Sequence, residues 1–164
     1  MAQHENSPAH LKKGTDRHEI VLRDFARVAA DATDLHWLLE QAARQAARAT
    51  AVTHAKVMRY RPQHGDLLVV AGVGWKEGVV GPTRLGIDMA SPPGRCFQTR
   101  RPVIVDDIRD NREFRYAPIL QEHGIVSILH APVTIDSEVW GVIEVDSENP
   151  RSFDEHGEGS QLLS

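Results

Sequence analysis

The sequence has a single cysteine, few aromatic residues and no excess of basic charge. One cysteine among 164 residues excludes an internal disulfide and any metal site built from several thiolates. Lysine and arginine total 19 against 23 acidic residues, which indicates neither nucleic-acid binding nor a polybasic membrane surface. No apolar run approaches the roughly 20 residues of a membrane span. The N-terminus lacks the apolar core of a signal peptide, so we expect a cytoplasmic protein.

What the chain does have is several apolar runs of strand length. Runs 125–135 and 139–145 are rich in Val and Ile and flank the polar trio Asp136-Ser137-Glu138, which predicts a central β-hairpin over residues 127–147. Residues 55–61 and 66–74 predict a second hairpin across the turn at 62–65. A short strand is expected at 102–105.

The segments between these strands have the composition of loops and short helices. The glycine-rich residues 75–86 predict a loop or short helix. A turn at 91–94 precedes a short helix at 95–99, and the charged residues 106–116 predict an exposed loop. One or two helical turns at 117–123 would end at Gly124 in the C′ position.

Helices are expected at both ends of the chain. Residues 1–15 are polar and predict a disordered lead. Over residues 16–50 the apolar positions alternate gaps of four and three, a heptad spacing, at Val21, Phe25, Val28, Ala32, Leu35, Leu39, Ala42 and Ala46. Thr33-Asp34 interrupts the pattern and could cap a new helix at Leu35. The stripe over 16–33 is compatible with a linker helix packed on its own domain or with a parallel homodimer.

The C-terminal end predicts a helix that is cut short. Ser152 or Asp154 could cap it, and Gln161-Leu162-Leu163 would be its first buried face. The chain stops after barely two turns, and an isolated helix of that length is marginal. We therefore expect the sequence to be a fragment of a longer protein, with its last helix truncated.

In this order and spacing the segments resemble a GAF domain over residues 34–164. The resemblance lies in the first hairpin, SPPGRCFQTRRPVIVDDI (91–108), HGIVSILHAPV (123–133), EVWGVIEVDSENP (138–150) and Phe153-Asp154. It departs from the family at Gly157, where an acidic residue is usual. The resemblance implies an α+β fold with a central antiparallel sheet of five or six strands. Terminal helices would cover one face, and loops and short helices would roof a small-molecule pocket on the other.

The same resemblance implies a sensory or dimerisation module rather than an enzyme. The output module in cis would be that of a bacterial two-component histidine kinase, an analogy made at the level of the fold. The alternatives are a haem- or bilin-bearing gas or light sensor and a stand-alone enzyme. Free methionine sulfoxide reduction is the enzymatic option within the family, but it needs a resolving thiol, which a chain with one cysteine lacks.

Cys96 and two histidines are the residues through which a cofactor would be held. Cys96 could attach a bilin, sense oxidants or ligate iron, or it could be a small buried core residue. Phe97 follows it where many bilin-binding relatives have histidine. His123 and His130 could ligate haem iron, or they could serve as a helix-terminal and a core histidine. No spacing of histidines or carboxylates predicts a metal site, and the sequence requires no cofactor.

The remaining candidates for ligand contact come from the pocket roof and floor. Trp75, Phe114 and Tyr116 fall in the predicted roof loops and would either touch a planar ligand or plug the pocket themselves. The strands of the central hairpin should form the floor, where His130, Glu144 and Asp146 are candidate lining residues.

Overall fold

The computed structural model describes residues 35–151 and residue 153. The chain divides into two compact units, residues 1–38 and 39–164, and only residues 35–38 of the first are described. The predicted lead over 1–15, the predicted helix over 16–33 with its cap at Thr33-Asp34, and the predicted C-terminal helix lie outside the described residues.

The described chain forms one six-stranded antiparallel sheet and three helices. The strand order is β3-β2-β1-β6-β5-β4, so the strands nearest the two termini meet at the centre of the sheet. The elements in chain order are α1 Leu35–Ala49, β1 His54–Arg61, β2 Asp66–Val73, β3 Arg84–Gly86, α2 Pro92–Thr99, β4 Val103–Val105, α3 Pro118–Glu122, β5 Ser127–Ile135 and β6 Glu138–Ser147. The predicted α+β fold and the strand number are thus confirmed.

The first face of the sheet, which we call the α1 face, is apolar. Alternate residues of β1, β2 and β6 point to it, and they cluster with helix residues Leu39, Ala43 and Ala47. The sheet members of the cluster are Ala55, Val57, Ala71 and Val145. The heptad stripe predicted Ala42 and Ala46 on the buried side, whereas Ala43 and Ala47 are buried and Ala42 and Ala46 are only half-buried. Because alanines occur in adjacent pairs at 42–43 and 46–47, a helix rotated by one residue still buries an alanine at each of these places.

The opposite face, which we call the pocket face, carries α2, α3 and the long loops. Met58, Leu67, Val69, Cys96, Val103 and Val142 form one buried cluster there, and Val105, Leu120, Ile125 and Ile128 form a second. Helix α2 begins at Pro92, three residues before the predicted start, because Pro92 and Pro93 occupy its first turn, where a missing N–H costs nothing. Gly94 allows this helix to lie close to the backbone at Asp88, since a Cβ on Gly94 would clash with the Asp88 carbonyl.

Two turns fix the geometry around the site. The central hairpin turns at Asp136 and Ser137, both with positive φ, as a two-residue turn with the sheet's twist requires. Helix α3 ends at Glu122 with His123 as its C-cap residue, and Gly124 follows with φ of 66°, which confirms the predicted C′ glycine. Strand β3 was missed because it is three residues long and lies within the glycine-rich segment predicted to be loop.

Candidate functional site

A buried ionic cluster lies at the centre of the pocket face. Lys56 on β1 and His130 on β5 are both register partners of Glu144 on β6. Lys56 Nζ donates to Glu144 Oε1 at 2.5 Å, and His130 Nε2 is 2.8 Å from Glu144 Oε2. The three side chains are only 1–2% exposed. One carboxylate therefore accepts hydrogen bonds from both neighbouring strands, which is how a buried charge is tolerated.

Asp146 lies two residues along the same face and completes the cluster. It is fully buried, and its Oδ2 is 3.6 Å from Lys56 Nζ, an ion-pair distance rather than a hydrogen bond. Neither carboxylate oxygen of Asp146 accepts a hydrogen bond from any described residue. A buried carboxylate in that position is unstable, whereas the neutral acid can donate to Glu144.

The two carboxyl groups accordingly have opposite pKa shifts. Burial raises the pKa of Asp146, the charge of Glu144 raises it further, and the attraction of Lys56 does not offset them. Burial also works to raise the pKa of Glu144, but the charges of His130 and Lys56 outweigh it and hold that pKa well below its ordinary value. Within the cluster, protonation is therefore favoured at Asp146 and disfavoured at Glu144.

A cavity of about 230 Å³ lies above this cluster. Strands β1, β5 and β6 supply its floor, the start of α2 and the segment 115–120 supply its roof, and β3 supplies one edge. The lining residues are Lys56, Arg84, Leu85, Gly86, Ser91, Pro92, Pro93, Arg115, Tyr116, Ala117, Pro118, Leu120, Ile128, His130 and Glu144. Apolar walls with a few convergent polar groups are typical of small-molecule sites.

Three aromatic rings pack together beside the cluster. The ring centroids of Trp75 lie 4.9 Å from those of His54 and His123, and the two histidines are 5.3 Å apart. Lys56 Nζ lies 4.3 Å from the Trp75 ring centroid, and the indole N–H donates to the Ala55 carbonyl at 2.9 Å. Burial and the neighbouring His123 lower the pKa of His54. Trp75 therefore covers the ammonium of Lys56 and does not line the cavity.

Tyr116 is the only predicted roof aromatic that lines the cavity. Its hydroxyl donates to Asn111 Oδ1 at 2.6 Å, and burial raises its pKa to about 12. Phe114 packs between the two apolar clusters of the pocket face, and the guanidinium of Arg95 lies 4.2 Å from its ring centroid. The structure thus places Phe114 in the wall behind the cavity.

Cys96 lies on the buried side of α2 and is fully buried in the core. Burial, with the nearby charge of Glu144, raises the pKa of its thiol to about 12, so the thiolate that reacts with a bilin or an oxidant is scarce at neutral pH. The cavity is about one and a half times the ~150 Å³ that holds benzene, whereas a tetrapyrrole is several times larger than benzene. His130 Nε2, a nitrogen that could ligate iron, is bonded to Glu144.

The structure therefore brings some predicted residues together and separates others. His130, Glu144 and Tyr116 line the cavity, Asp146 lies directly behind it, and His123 and Trp75 stand beside the cluster. Sequence reasoning missed Lys56, Ser91, Arg84 and Arg115. For Lys56 a signal existed, because it lies two residues before Met58 on the same face of β1, in the buried first part of that strand. Whether these side chains bind a ligand stays a prediction.

Two features are absent from the described part of the chain. Within residues 35–151 and 153, no three His, Cys, Asp or Glu side chains are grouped as a metal site requires. Over the same residues, no helix is both long enough and apolar enough to span a bilayer.

Comparison with known proteins relates this fold to solved structures, and the three described below have low sequence identity to this chain. A GAF domain from a phosphoenolpyruvate-protein phosphotransferase of Coxiella burnetii matches with a TM-score of 0.69 and 18% identity, covering 89% of this chain and 86% of that one. Free methionine-R-sulfoxide reductase from Neisseria meningitidis, in complex with its substrate, matches with a TM-score of 0.62 and 20% identity, covering 94% and 84%.

A third match is the domain of a putative two-component sensor histidine kinase protein from Sinorhizobium meliloti. Its TM-score is 0.56 at 16% identity, with 77% of this chain and 81% of that one covered. The similar structures thus include both sensory domains and reductases, so the fold alone does not distinguish the two. No curated protein matches the chain.

The family model of the GAF domain matches residues 34–159, which is most of the sequence. This match and the shared fold confirm the resemblance that the ordered segments predicted. The chain belongs to the GAF domain family.

Proposed function

We propose that this GAF domain senses a small molecule and regulates an output module in signal transduction, and that the output module is a histidine kinase. The observation that carries the sensing proposal is the cavity with its buried polar floor. His130 lines it and has an Nδ1 atom with no hydrogen-bond partner among the described residues. A buried nitrogen left unpaired costs free energy that a bound molecule can recover.

The two faces of the sheet offer a physical route from cavity to helix. Lys56, which lines the cavity, lies between Ala55 and Val57, and both of these pack in the α1-face cluster. Glu144 likewise precedes Val145 of the same cluster. A ligand that moves the ionic cluster therefore shifts residues on which α1 rests. To transmit a signal, the ligand must bind two helix arrangements with different affinity.

The histidine kinase context is supported by the likeness to the Sinorhizobium meliloti domain. A parallel homodimer through the helix predicted over residues 16–33 is part of the same proposal, and it concerns residues outside those described. A stand-alone reductase is disfavoured because Cys96 is the chain's one thiol and is buried.

Blocking the cavity in the natural polypeptide that contains this chain tests the proposal. Ala117 lines the cavity, so Ala117→Phe fills it, whereas Gln63→Phe places the same ring on the exposed β1–β2 turn. We expect A117F to change the rate of autophosphorylation from ATP severalfold and Q63F to leave it unchanged. Equal rates for A117F, Q63F and wild type would refute control of the kinase by the cavity, and absence of phosphorylation in all three would refute the kinase assignment.

A further inference from the structure

The cavity is electrically asymmetric from floor to mouth. At the floor, Lys56 and Glu144 form a buried ion pair, and burial together with the charge of Glu144 raises the pKa of Asp146 behind them. Toward solvent, the lining includes Arg84, which is exposed, and Arg115, whose side chain is 63% exposed. The ion-paired floor and the cationic mouth divide the cavity into two recognition regions.

The floor leaves one hydrogen bond for the bound molecule to make. Ionised Glu144 can only accept, so the proton in its bond with His130 is on Nε2. The other ring nitrogen, Nδ1, is buried without a partner among the described residues. A hydroxyl can both donate and accept, so it supplies the missing bond for either form of the ring.

The mouth requires an anion. Arg84 forms no salt bridge with any residue that the structure describes, and Arg115 uses one nitrogen on Asp88 at 2.7 Å. A guanidinium has five N–H donors, so both side chains retain donors for a carboxylate. Ser91, also in the lining, is the N-cap residue of α2, and its hydroxyl caps no backbone group. The positive end of the α2 dipole therefore adds to the same side of the cavity.

The walls between these regions set the shape of the molecule. They are apolar, consisting of Leu85, Pro92, Pro93, Leu120 and Ile128. The volume of about 230 Å³ suits a single substituted ring or a branched chain of similar size. The ligand is thus a compact apolar body with a polar group at each end.

We propose that the cavity binds a small organic hydroxy acid anion, whose hydroxyl forms a hydrogen bond with His130 Nδ1 and whose carboxylate meets Arg84 and Arg115. The inference rests on the proposed sensing function, because it names the ligand class of the same cavity. It adds that recognition depends on charge at the mouth and on a hydroxyl at the floor.

Calorimetric titration of the purified chain with four matched probes tests the requirement at the mouth and the requirement at the floor separately. 3-Hydroxybenzoate carries both a ring hydroxyl and a carboxylate. Benzoate lacks the ring hydroxyl, 3-hydroxybenzyl alcohol lacks the negative charge, and 3-hydroxybenzylamine carries a positive charge in its place. We expect 3-hydroxybenzoate to bind at least about tenfold more tightly than each of the other three, as the loss of a charge-assisted or otherwise unmet buried hydrogen bond implies.

Variants at the mouth separate this site from non-specific binding. Arg84→Gln should weaken the binding of 3-hydroxybenzoate about tenfold and leave the binding of 3-hydroxybenzyl alcohol unchanged. Arg112 is an exposed arginine outside the lining, so Arg112→Gln should change the binding of neither probe. Tighter binding of the alcohol or amine, equal binding of benzoate, insensitivity to R84Q, or no binding of any probe would each overturn the inference. The proposed sensing function fails separately, through an inert A117F in the phosphorylation assay.

Discussion

The two faces of one sheet are stabilised by different means. The α1 face is a layer of small apolar side chains, in which Ala43, Ala47 and Ala55 let helix and strands approach closely. The pocket face buries Lys56, His130, Glu144 and Asp146 in the same strands. Apolar packing is indifferent to pH and needs no particular partner, whereas a buried ion pair is costly as soon as one member is removed. The comparison predicts that the pocket face makes a pH-dependent contribution to stability and the α1 face a pH-independent one.

The largest expected effect comes from removing the ammonium of the pocket face. Lys56→Met leaves Glu144 as a buried carboxylate without its ammonium partner, so we expect a loss of about 3–5 kcal/mol of unfolding free energy at pH 7. The loss should shrink toward pH 4, where Glu144 can take up a proton at little cost. Urea unfolding monitored by circular dichroism at both pH values measures it.

The matched control for this variant is Lys76→Met. Lys76 pairs with Glu122 at 2.5 Å, but both side chains are about half exposed, so the same substitution should cost less than about 1 kcal/mol. The double variant Lys56→Met with Glu144→Gln also removes the carboxylate charge, so it should recover much of the stability that K56M loses. Equal losses for K56M and K76M would show that the buried carboxylate of Glu144 does not need the ammonium of Lys56.

On the α1 face we expect an intermediate effect that does not depend on pH. Leu39→Ala removes a buried side chain from the helix–sheet cluster, which should cost about 2–4 kcal/mol. Because no charged group of the pocket face lies in that cluster, the cost should be the same at pH 5 and pH 7. Binding of 3-hydroxybenzoate to the folded L39A protein provides the control and should be retained. A loss that varied with pH would mean that the two faces are energetically coupled.

The smallest effect is expected at Asp146 and has a defined sign. The unfolded chain releases this proton near the ordinary value of 3.8, whereas the folded chain retains it because its pKa is raised. Wild-type stability therefore falls as the pH rises from that value toward the folded pKa. Asp146→Asn keeps a donor for Glu144 and removes the titration, so its stability should equal that of wild type near pH 4 and match or exceed it at pH 7.

Asp107→Asn serves as the comparison for this effect. Arg109 lowers the pKa of Asp107 through a hydrogen bond, so the sign is reversed and D107N should lose a little stability at neutral pH. Differential scanning fluorimetry across pH 4–8 measures both variants. A D146N protein less stable than wild type at pH 7 would mean that Asp146 is ionised in the folded state.

Much of the fold could be predicted because its signals are local. Alternating Val and Ile runs with turn residues between them predicted both hairpins, and Gly124 predicted the end of α3. The errors have local causes as well. Strand β3 is too short to show alternation, and the double alanines of α1 leave its rotation open by one residue. Proline at the start of α2 was interpreted as a turn, although its fixed φ also suits a first helical turn.

The site was predicted less completely because it depends on contacts between distant residues. His130, Glu144 and Asp146 were candidate floor residues because the resemblance implies a pocket beside the central hairpin, but the sequence could not show what they pair with. Lys56 and Glu144 are 88 residues apart, and only the neighbouring placement of β1 and β6 brings them together. Arg84 and Arg115 reach the cavity from two segments predicted to be loops.

The sequence by itself determined the family, the hairpins and the two-sided character of the strands, because each follows from side-chain period and turn chemistry within a few residues. The tertiary structure decided which charges are buried, which carboxyl group is ionised and which nitrogen is left without a partner. Those properties depend on desolvation and on distances of a few ångströms between strands. No pattern along one strand contains them, because they arise only when β1, β5 and β6 lie side by side.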